Sequence, residues 1–571
     1  MQGSENIGKV ARHLSDVGFY YVTSDWSWKK MENKTGVIWG TGIYASRFYA
    51  SIEQKTIKYF IDSDISKAGK KLNGKLVLHP SEISSWSEFF IYVPYNFYDE
   101  IAASLIAHGL VEDRDFTRYY STNVLSGKKA VEDFDRCLNE MTAKVGQMEH
   151  TIVFWGGFWY YNANHKRLMD EIMRNDLIDK FAYIGEDGDS SFFENTFHIP
   201  SVSAPLVCED RLIVTDVELS ESEKQNYDKI DFLRTCEIQL MASASGLTHP
   251  AAQYEVYHVF KYFDCFISKT MPKLVISQNG VRFASIILDE VCKKYGVPIV
   301  YSHEGILPGT MAIDTFGEMG KSIPAIYDTK FMQLGVDGDD IKKAYQVWDY
   351  LYNSKYNRKK QPKTKADLLV KKNGRPTVFF AGQNDPLSHM IPYSEETAKY
   401  HSPIFKSTSE AAIFLGELCE KNNWNYIFKP HPNFIEKDMK DLLPANTTYV
   451  EFADINDIID ASDVVVTILS QTNYIAMIRS KPVVMLGYTQ TKGKGCTYEV
   501  SKKDEIEQTI ATAIEAGFTG EMKTAFAKHI AQVNRYYLYD DHSDRSIRYG
   551  KPCPKCIGDF FELEEMIKNT N

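Results

Sequence analysis

The chain is 571 residues long, 44% hydrophobic and 25% charged, an ordinary soluble composition sized for three or four domains. Its formal net charge of −11 speaks against a nucleic-acid partner, because proteins that track a phosphate backbone carry the opposite balance. No apolar run reaches the roughly 18 residues that span a bilayer. Met1–Ser15 lacks the apolar segment of a secretory signal, and the nine cysteines are scattered. These features predict reduced thiols and a cytoplasmic protein, with any peripheral contact at the inner membrane resting on a local patch rather than on overall charge. Cys553 and Cys556 have metal-ligand spacing, but no second pair lies near, so a C-terminal turn and no metal are expected.

In chain order, three blocks separate. Residues 1–125 read as a small parallel α/β unit. Thr35–Gly40 is a short strand ending in glycine, Lys58–Asp62 is a second strand, and Leu76–Pro80 and Phe89–Val93 continue the alternation with helical stretches. Residues 150–355 open on the strand Thr151–Gly157. They later hold the strands Lys273–Ser277 and Val297–Tyr301 with a helical pattern, Phe283–Tyr295, between them, which is a βαβ unit. A polar, basic stretch, Asn353–Lys372, with Arg358, Lys359 and Lys360, reads as a solvated hinge rather than a membrane-facing patch. Residues 373–571 carry strands at Pro376–Phe380, Trp424–Phe428, Thr448–Val450, Asp463–Ile468 and Pro482–Leu486. The second and third blocks therefore predict two facing Rossmann-like lobes, with the first block as an additional Rossmann-like domain.

Five constellations suit chemistry. Gly40-x-Gly42-x-x-Ala45 follows a strand, with Asp62 about 20 residues on, in the dinucleotide pattern; it fits a bound pyrophosphate and ribose, or merely a tight strand-to-helix turn. Lys429-Pro430-His431-Pro432 ends a strand, its prolines stiffening the backbone around an ammonium and an imidazole that suit a phosphate. Ser470-Gln471-Thr472 opens a helix, where hydroxyls and free N–H groups serve either a phosphate or simple capping. Two such features on consecutive strands of one lobe favour a nucleotide. The glycine-rich loop Gly487–Thr497 could bring Lys494 and Thr497 over it, or be flexible and unused. The segment His303–Ser322 reads as a long polar loop after a strand, offering Glu304, Asp314 and Glu318 for acid, base or nucleophile work.

The segment His303-Glu304-Gly305 to Ser322, Lys429-Pro430-His431-Pro432, and Ser470-Gln471-Thr472 followed by Lys481-Pro482-Val483 and Gly495-Cys496-Thr497 together resemble the bacterial capsule and O-antigen transferases that add β-Kdo from CMP-Kdo. The His-Pro element is also similar to that of sialyltransferases using CMP-sugars. The resemblance covers about residues 150–540. It implies a GT-B-like fold and a retaining transfer of Kdo, or a related ulosonic acid, from a CMP-sugar to a surface polysaccharide or lipid-linked glycan, with no further cofactor. It implies a carboxylate nucleophile, placed on Asp314 ahead of Glu304, with His303 beside them. Lys429, His431, Ser470, Gln471, Thr472, Lys494 and Thr497 are expected at the donor nucleotide. One departure stands out: Ile475-Ala476 occupies the place of a Glu-Ala pair that often contacts the ribose. Two other readings remain open, a CDP-polyol phosphotransferase of teichoic-acid type and a non-catalytic nucleotide-binding protein.

Overall fold

The computed structural model describes residues 34–42, 45, 49, 56–94, 98–111, 114–119, 123–156, 180–185, 190, 193–195, 197–205, 211–214, 217–243, 247–355, 373–431, 434, 439–451, 453–540 and 545–570. The chain forms two compact units. One comprises residues 1–132, 207–223 and 241–255, and the other residues 133–206, 224–240 and 256–571.

The first unit is built on strands β1 (Thr35–Trp39), β2 (Ile57–Ile61), β3 (Lys71–Leu72), β4 (Lys75–Leu78), β5 (Phe89–Pro94) and β6 (Phe116–Tyr119), ordered β3-β4-β2-β1-β5-β6. All neighbours are parallel except the β3–β4 pair. A separate ribbon joins β7 (Asn123–Ser126) to β11 (Arg211–Val214), which is why residues far along the chain belong to this unit. Apolar residues on both faces of β1 and β5, including Val37, Ile38, Phe90 and Ile91, are fully buried. That is the pattern a parallel sheet covered on both sides requires.

The second unit contains two lobes. The first lobe has strands β8 (Ile152–Trp155), β9 (Phe181–Gly185), β10 (Ser201–Ser203), β12 (Leu274–Ser277), β13 (Ile299–Glu304) and β14 (Thr310–Asp314), joined by β21 (Leu538–Asp540) in the order β10-β9-β8-β12-β13-β14-β21. The helix Phe283–Tyr295 connects β12 to β13 over the residues its apolar spacing predicts, and ends at Gly296, whose φ of +66° is the left-handed cap that glycine accepts most readily. The second lobe is a fully parallel sheet of β15 (Thr377–Ala381), β16 (Asn425–Lys429), β17 (Thr447–Tyr449), β18 (Val464–Thr467), β19 (Val483–Met485) and β20 (Tyr498–Glu499), ordered β17-β16-β15-β18-β19-β20. The run Val464-Val465-Val466 is wholly buried, as the centre of such a sheet demands. The fold is α/β, a pair of Rossmann-type lobes with an additional Rossmann-like sheet nearer the N-terminus.

Two features depart from the sequence expectation. His303–Ser322 is not one long loop: β13 runs on through Glu304, and Thr310–Asp314 returns beside it as an antiparallel strand, pairing His303 with Ala312 and Glu304 with Met311. The Pro308-Gly309 pair supplies the turn, and Met311, Ala312 and Ile313 bury their side chains in the core. The chain also leaves the second lobe near its end, through the helix Gly520–Gln532 and a π-helical turn Val533–Tyr537, to place β21 against β14.

The lobes share one apolar core. Leu307, Phe331 and Trp348 of the first pack in the same cluster as Ile427, Val465 and Tyr474 of the second, and the Trp348 indole donates to the Ile478 carbonyl at 2.9 Å. Gly320 lies so close to the Tyr400 and Tyr488 carbonyl oxygens that a Cβ there would overlap them. The Asn353–Lys372 hinge is described only to Lys355, where the helix Gly338–Ser354 ends. Arg358, Lys359 and Lys360 lie outside the described residues. Among the described residues no helix is long and apolar enough to cross a membrane.

Candidate functional site

In the second lobe the chain winds from β15 to β16 on one side and later to β18 on the other, so the carboxyl end of β15 is a topological switch point, where open α/β sheets bind ligands. Three loops leave the sheet there: Gly382–Asn384 after β15, Pro430–His431 after β16 and Leu469–Thr472 after β18. Together with first-lobe residues at the end of β13 and after β14, they line a cleft of about 480 Å³.

Seven of the ten residues expected at the reaction and donor sites line this one cleft: His303, Glu304, Lys429, His431, Ser470, Gln471 and Thr472. Each is positioned by its local structure. Lys429 is the last residue of β16, nearly buried, and its Nζ donates to the Glu451 carbonyl at 3.1 Å. His431 follows Pro430, and its carbonyl accepts from the Phe434 amide at 2.9 Å, which holds the turn. Pro432 lies outside the described residues. Ser470 Oγ donates to Thr472 Oγ1 at 2.9 Å. Gln471 Oε1 is buried without a hydrogen-bond partner among the described residues. An acceptor left in that state is costly unless a ligand donor meets it.

The sequence reading did not single out Gln383, Asn384 or Tyr474, which also line the cleft. Gln383 fixes the floor: its Oε1 accepts from the Leu469 amide at 2.8 Å and ties the β15 loop to the β18 loop. The polar run Gly382-Gln383-Asn384 directly after a buried strand was the available signal.

Of the three carboxylates in the His303–Ser322 segment, Glu304 and Glu318 line the cleft. Burial pushes the Glu318 carboxyl up to about 7, against a hydrogen bond from the Gly280 amide and the Arg282 charge, with nearby Asp314 adding to the rise. Glu318 Oε1 is buried with no partner among the described residues. Asp314 is not in the cleft wall. It ends β14, fully buried, where Oδ1 accepts from the Phe316 amide at 2.8 Å and the Gly317 amide at 3.2 Å, and Oδ2 from the Ile323 amide at 2.8 Å. Burial still dominates those amides and raises it to about 6. Its oxygens organise the turn behind the cleft.

Lys494 and Thr497 also lie off the cleft. Lys494 is buried, and its Nζ donates to the first-lobe carbonyls of Pro324 at 2.8 Å and Asp328 at 3.2 Å and to the Lys492 carbonyl of its own loop at 3.1 Å, so all three protons are taken up. Burial lowers its pKa to about 8. Thr497 is buried, its Oγ1 without a partner among the described residues. Lys494→Ala is therefore expected to leave three carbonyls unmet and cost about 1–3 kcal/mol of stability, read as a lower melting temperature, while nucleotide affinity holds. A variant of normal stability that bound nucleotide poorly would return Lys494 to the donor site.

In the other unit, Gly40 follows β1 and its amide donates to the Ile61 carbonyl. Nothing lies within 4 Å of a Cβ placed on Gly42. Asp62, where a ribose would be held, is already engaged: Thr41 Oγ1 donates to Oδ2, the Asp64 amide to Oδ1 at 2.9 Å, and Lys67 Nζ to Oδ2 at 3.0 Å. These partners outweigh burial and lower its pKa. Near the C-terminus, Cys553 is buried while exposed Cys556 caps a short 3₁₀ turn with Asp559.

Residues 32–115 match a family model described as C2185-like, N-terminal. No curated protein matches the chain. Among solved structures it is similar to a beta Kdo 2,7 transferase, KpsC of Thermosulfurimonas dismutans, at 18% identity and a TM-score of 0.30, over 44% of this chain and 80% of that one. The beta Kdo 2,4 transferase of the same KpsC aligns at 14% identity and a TM-score of 0.34, over 52% and 87%. The spinosyn forosaminyltransferase SpnP aligns at 10% identity and a TM-score of 0.25, over 67% and 94%.

Proposed function

We propose that the protein is a glycosyltransferase that takes a sugar from a nucleotide donor bound on the second lobe and passes it to a glycan acceptor across the cleft. The observation that supports this reading is the convergence on one cleft of Lys429, His431, Ser470, Gln471 and Thr472, at the switch point of a parallel sheet, opposite Glu304 and Glu318. An ammonium, an imidazole and two hydroxyls suit the donor phosphate, and Gln471 Oε1 suits an amine of the base.

Within that reading, the motif resemblance supports CMP-activated Kdo or a related ulosonic acid as donor, a surface polysaccharide as acceptor, and transfer with retention. A carboxylate oxygen attacks the anomeric carbon as its bond to the phosphate oxygen breaks, and CMP leaves with the electron pair. The acceptor hydroxyl then attacks the same carbon, loses its proton, and the carboxylate departs. We place the attacking carboxylate on Glu318, with Glu304 as second candidate, because both border the cleft whereas Asp314 supports the turn behind it.

Calorimetry with CMP, CDP and UDP, followed by turnover with CMP-Kdo and NMR of the product linkage, tests the reading. Selective CMP binding and transfer with retained configuration are expected. Binding of none of the three would overturn the glycosyltransferase reading, and turnover with a CDP-polyol alone would replace it with phosphotransfer.

A further inference from the structure

The loop Gly382–Asn384 ties its two neighbours together. The Gly382 amide donates to the Lys429 carbonyl at 2.8 Å, at the start of the β16 loop, and Gln383 Oε1 takes the Leu469 amide of the β18 loop at 2.8 Å. The other end of the Gln383 amide meets Asp385, with Nε2 donating to Oδ1 at 3.3 Å. Asp385 is fully buried and does not line the cleft. It is held in turn by the helix Thr408–Lys421: the Thr408 amide donates to Oδ2 at 2.7 Å, and Thr408 Oγ1 to Oδ1 at 2.6 Å. Ala411, Ala412 and Leu415 anchor that helix in the core of the second lobe. Helix capping accounts for the Thr408 bonds, but not for the bond to Gln383.

A glutamine amide has one accepting end and one donating end, and a half-turn of its last bond exchanges them. A backbone amide only donates, and a carboxylate only accepts. However many donors Asp385 meets, the end of Gln383 that faces it is therefore Nε2, which leaves Oε1 to face the Leu469 amide. A donor at position 385 would turn Gln383 round and set its Nε2 against the Leu469 amide, a buried mismatch that costs more than a missing bond. Leu469 directly precedes Ser470, Gln471 and Thr472, and all four line the cleft. The polarity of one buried side chain thus reaches the phosphate-suited loop through one amide.

We propose that Asp385, acting through the Gln383 amide, holds the loop Leu469–Thr472 in the shape that receives the donor phosphate. The inference rests on the reading that the nucleotide binds on the second lobe. Asp385 is a positioning residue, since Gln383 stands between it and the loop. Its bonds to Thr408 fix the carboxylate in place, and its bond to Gln383 passes that placement on. In Asp385→Asn the side-chain oxygen keeps the short bond from the Thr408 amide, which leaves the new NH2 in the place of Oδ1. Thr408 Oγ1 can turn its hydrogen away and accept from that NH2. Gln383 cannot meet it and the Leu469 amide together, because both now donate. Adding Gln383→Glu repairs the pair, since a carboxylate accepts at both ends.

Hydrogen exchange at the Leu469 amide of the full chain, resolved by fragmentation in the mass spectrometer, tests this without any ligand. Asp385→Asn is expected to speed that exchange about tenfold, the effect of losing one buried hydrogen bond to a facing donor. The double variant, Asp385→Asn with Gln383→Glu, is expected to return to the native rate. An unchanged rate in Asp385→Asn would overturn the inference. So would a double variant as fast as the single one, because Asp385 would then act only as a helix cap. Should Asp385→Asn fail to fold, the double variant decides alone: native exchange upholds the inference, and fast exchange or loss of folding overturns it. Calorimetry of CMP into Asp385→Asn reads the consequence at the site, where about tenfold weaker binding is expected. Native affinity alongside fast exchange would overturn the link from loop to donor. The double variant is left out of that measurement, because Gln383 lines the cleft and a carboxylate there repels a phosphate. A native protein that bound no CMP would strike the transferase reading, and the exchange rates would still decide whether Asp385 holds the loop.

Discussion

Glu318→Gln is expected to lower turnover by about 10²–10⁴-fold, the usual contribution of a positioned acid–base group. Nucleotide affinity should stay near that of the native protein, because the donor-binding residues belong to the second lobe. Whether Glu318 attacks the sugar or activates the acceptor, the ionised carboxylate is the active form. Burial lifts its pKa from an ordinary 4.5 to about 7. Activity should therefore rise with pH through about 7, and that acidic limb should vanish in the variant. Stability offers a check independent of chemistry. A carboxyl whose pKa is raised on folding opposes the folded state increasingly as pH climbs from its unfolded value to its folded one. Glu318→Gln should then gain thermal stability relative to the native protein between pH 4.5 and about 7, and hold the gain above that. Near-normal turnover, with the acidic limb still in place, would remove Glu318 from the reaction. Mass spectrometry of a trapped sugar adduct would then decide between Glu304 and Asp314.

His431→Ala should weaken CMP binding by about 1.5–3 kcal/mol, or roughly 10–150-fold, the worth of a hydrogen bond to a charged group. The imidazole borders the cleft on a backbone turn held by Pro430 and by the Phe434 amide, so its removal deletes a phosphate partner without disturbing the sheet. Titration calorimetry of CMP into both proteins reads the difference. Equal affinities would mean that the nucleotide sits elsewhere, and the second-lobe donor site would fall with it.

Much of the framework was legible in the chain itself. A buried parallel strand must be apolar on both faces, so Asp463–Ile468 and Pro482–Leu486 announced themselves, and the polar residues just past such strands had to emerge at the sheet edge. Lys429, His431, Ser470, Gln471 and Thr472 were found on that basis, and the structure brings all five to one cleft. The helix Phe283–Tyr295 was equally plain, since its period and its terminal glycine agree.

What the sequence concealed depends on contacts between distant segments. Thr310–Asp314 carries a polar residue at each end and looked like loop, yet it is a strand because β13 on one side and β21, more than 200 residues later, on the other meet its backbone groups. That pairing turns Asp314 inward onto three amides and leaves Glu318, not Asp314, beside the cleft. Lys494 sits in a glycine-rich loop of the kind that closes on nucleotides, but tertiary packing delivers its ammonium to three carbonyls instead. Local pattern therefore determined the sheets and the residues at their edges; which of those residues face the ligand was decided by long-range pairing, since burial and hydrogen-bond satisfaction are properties of the assembled structure.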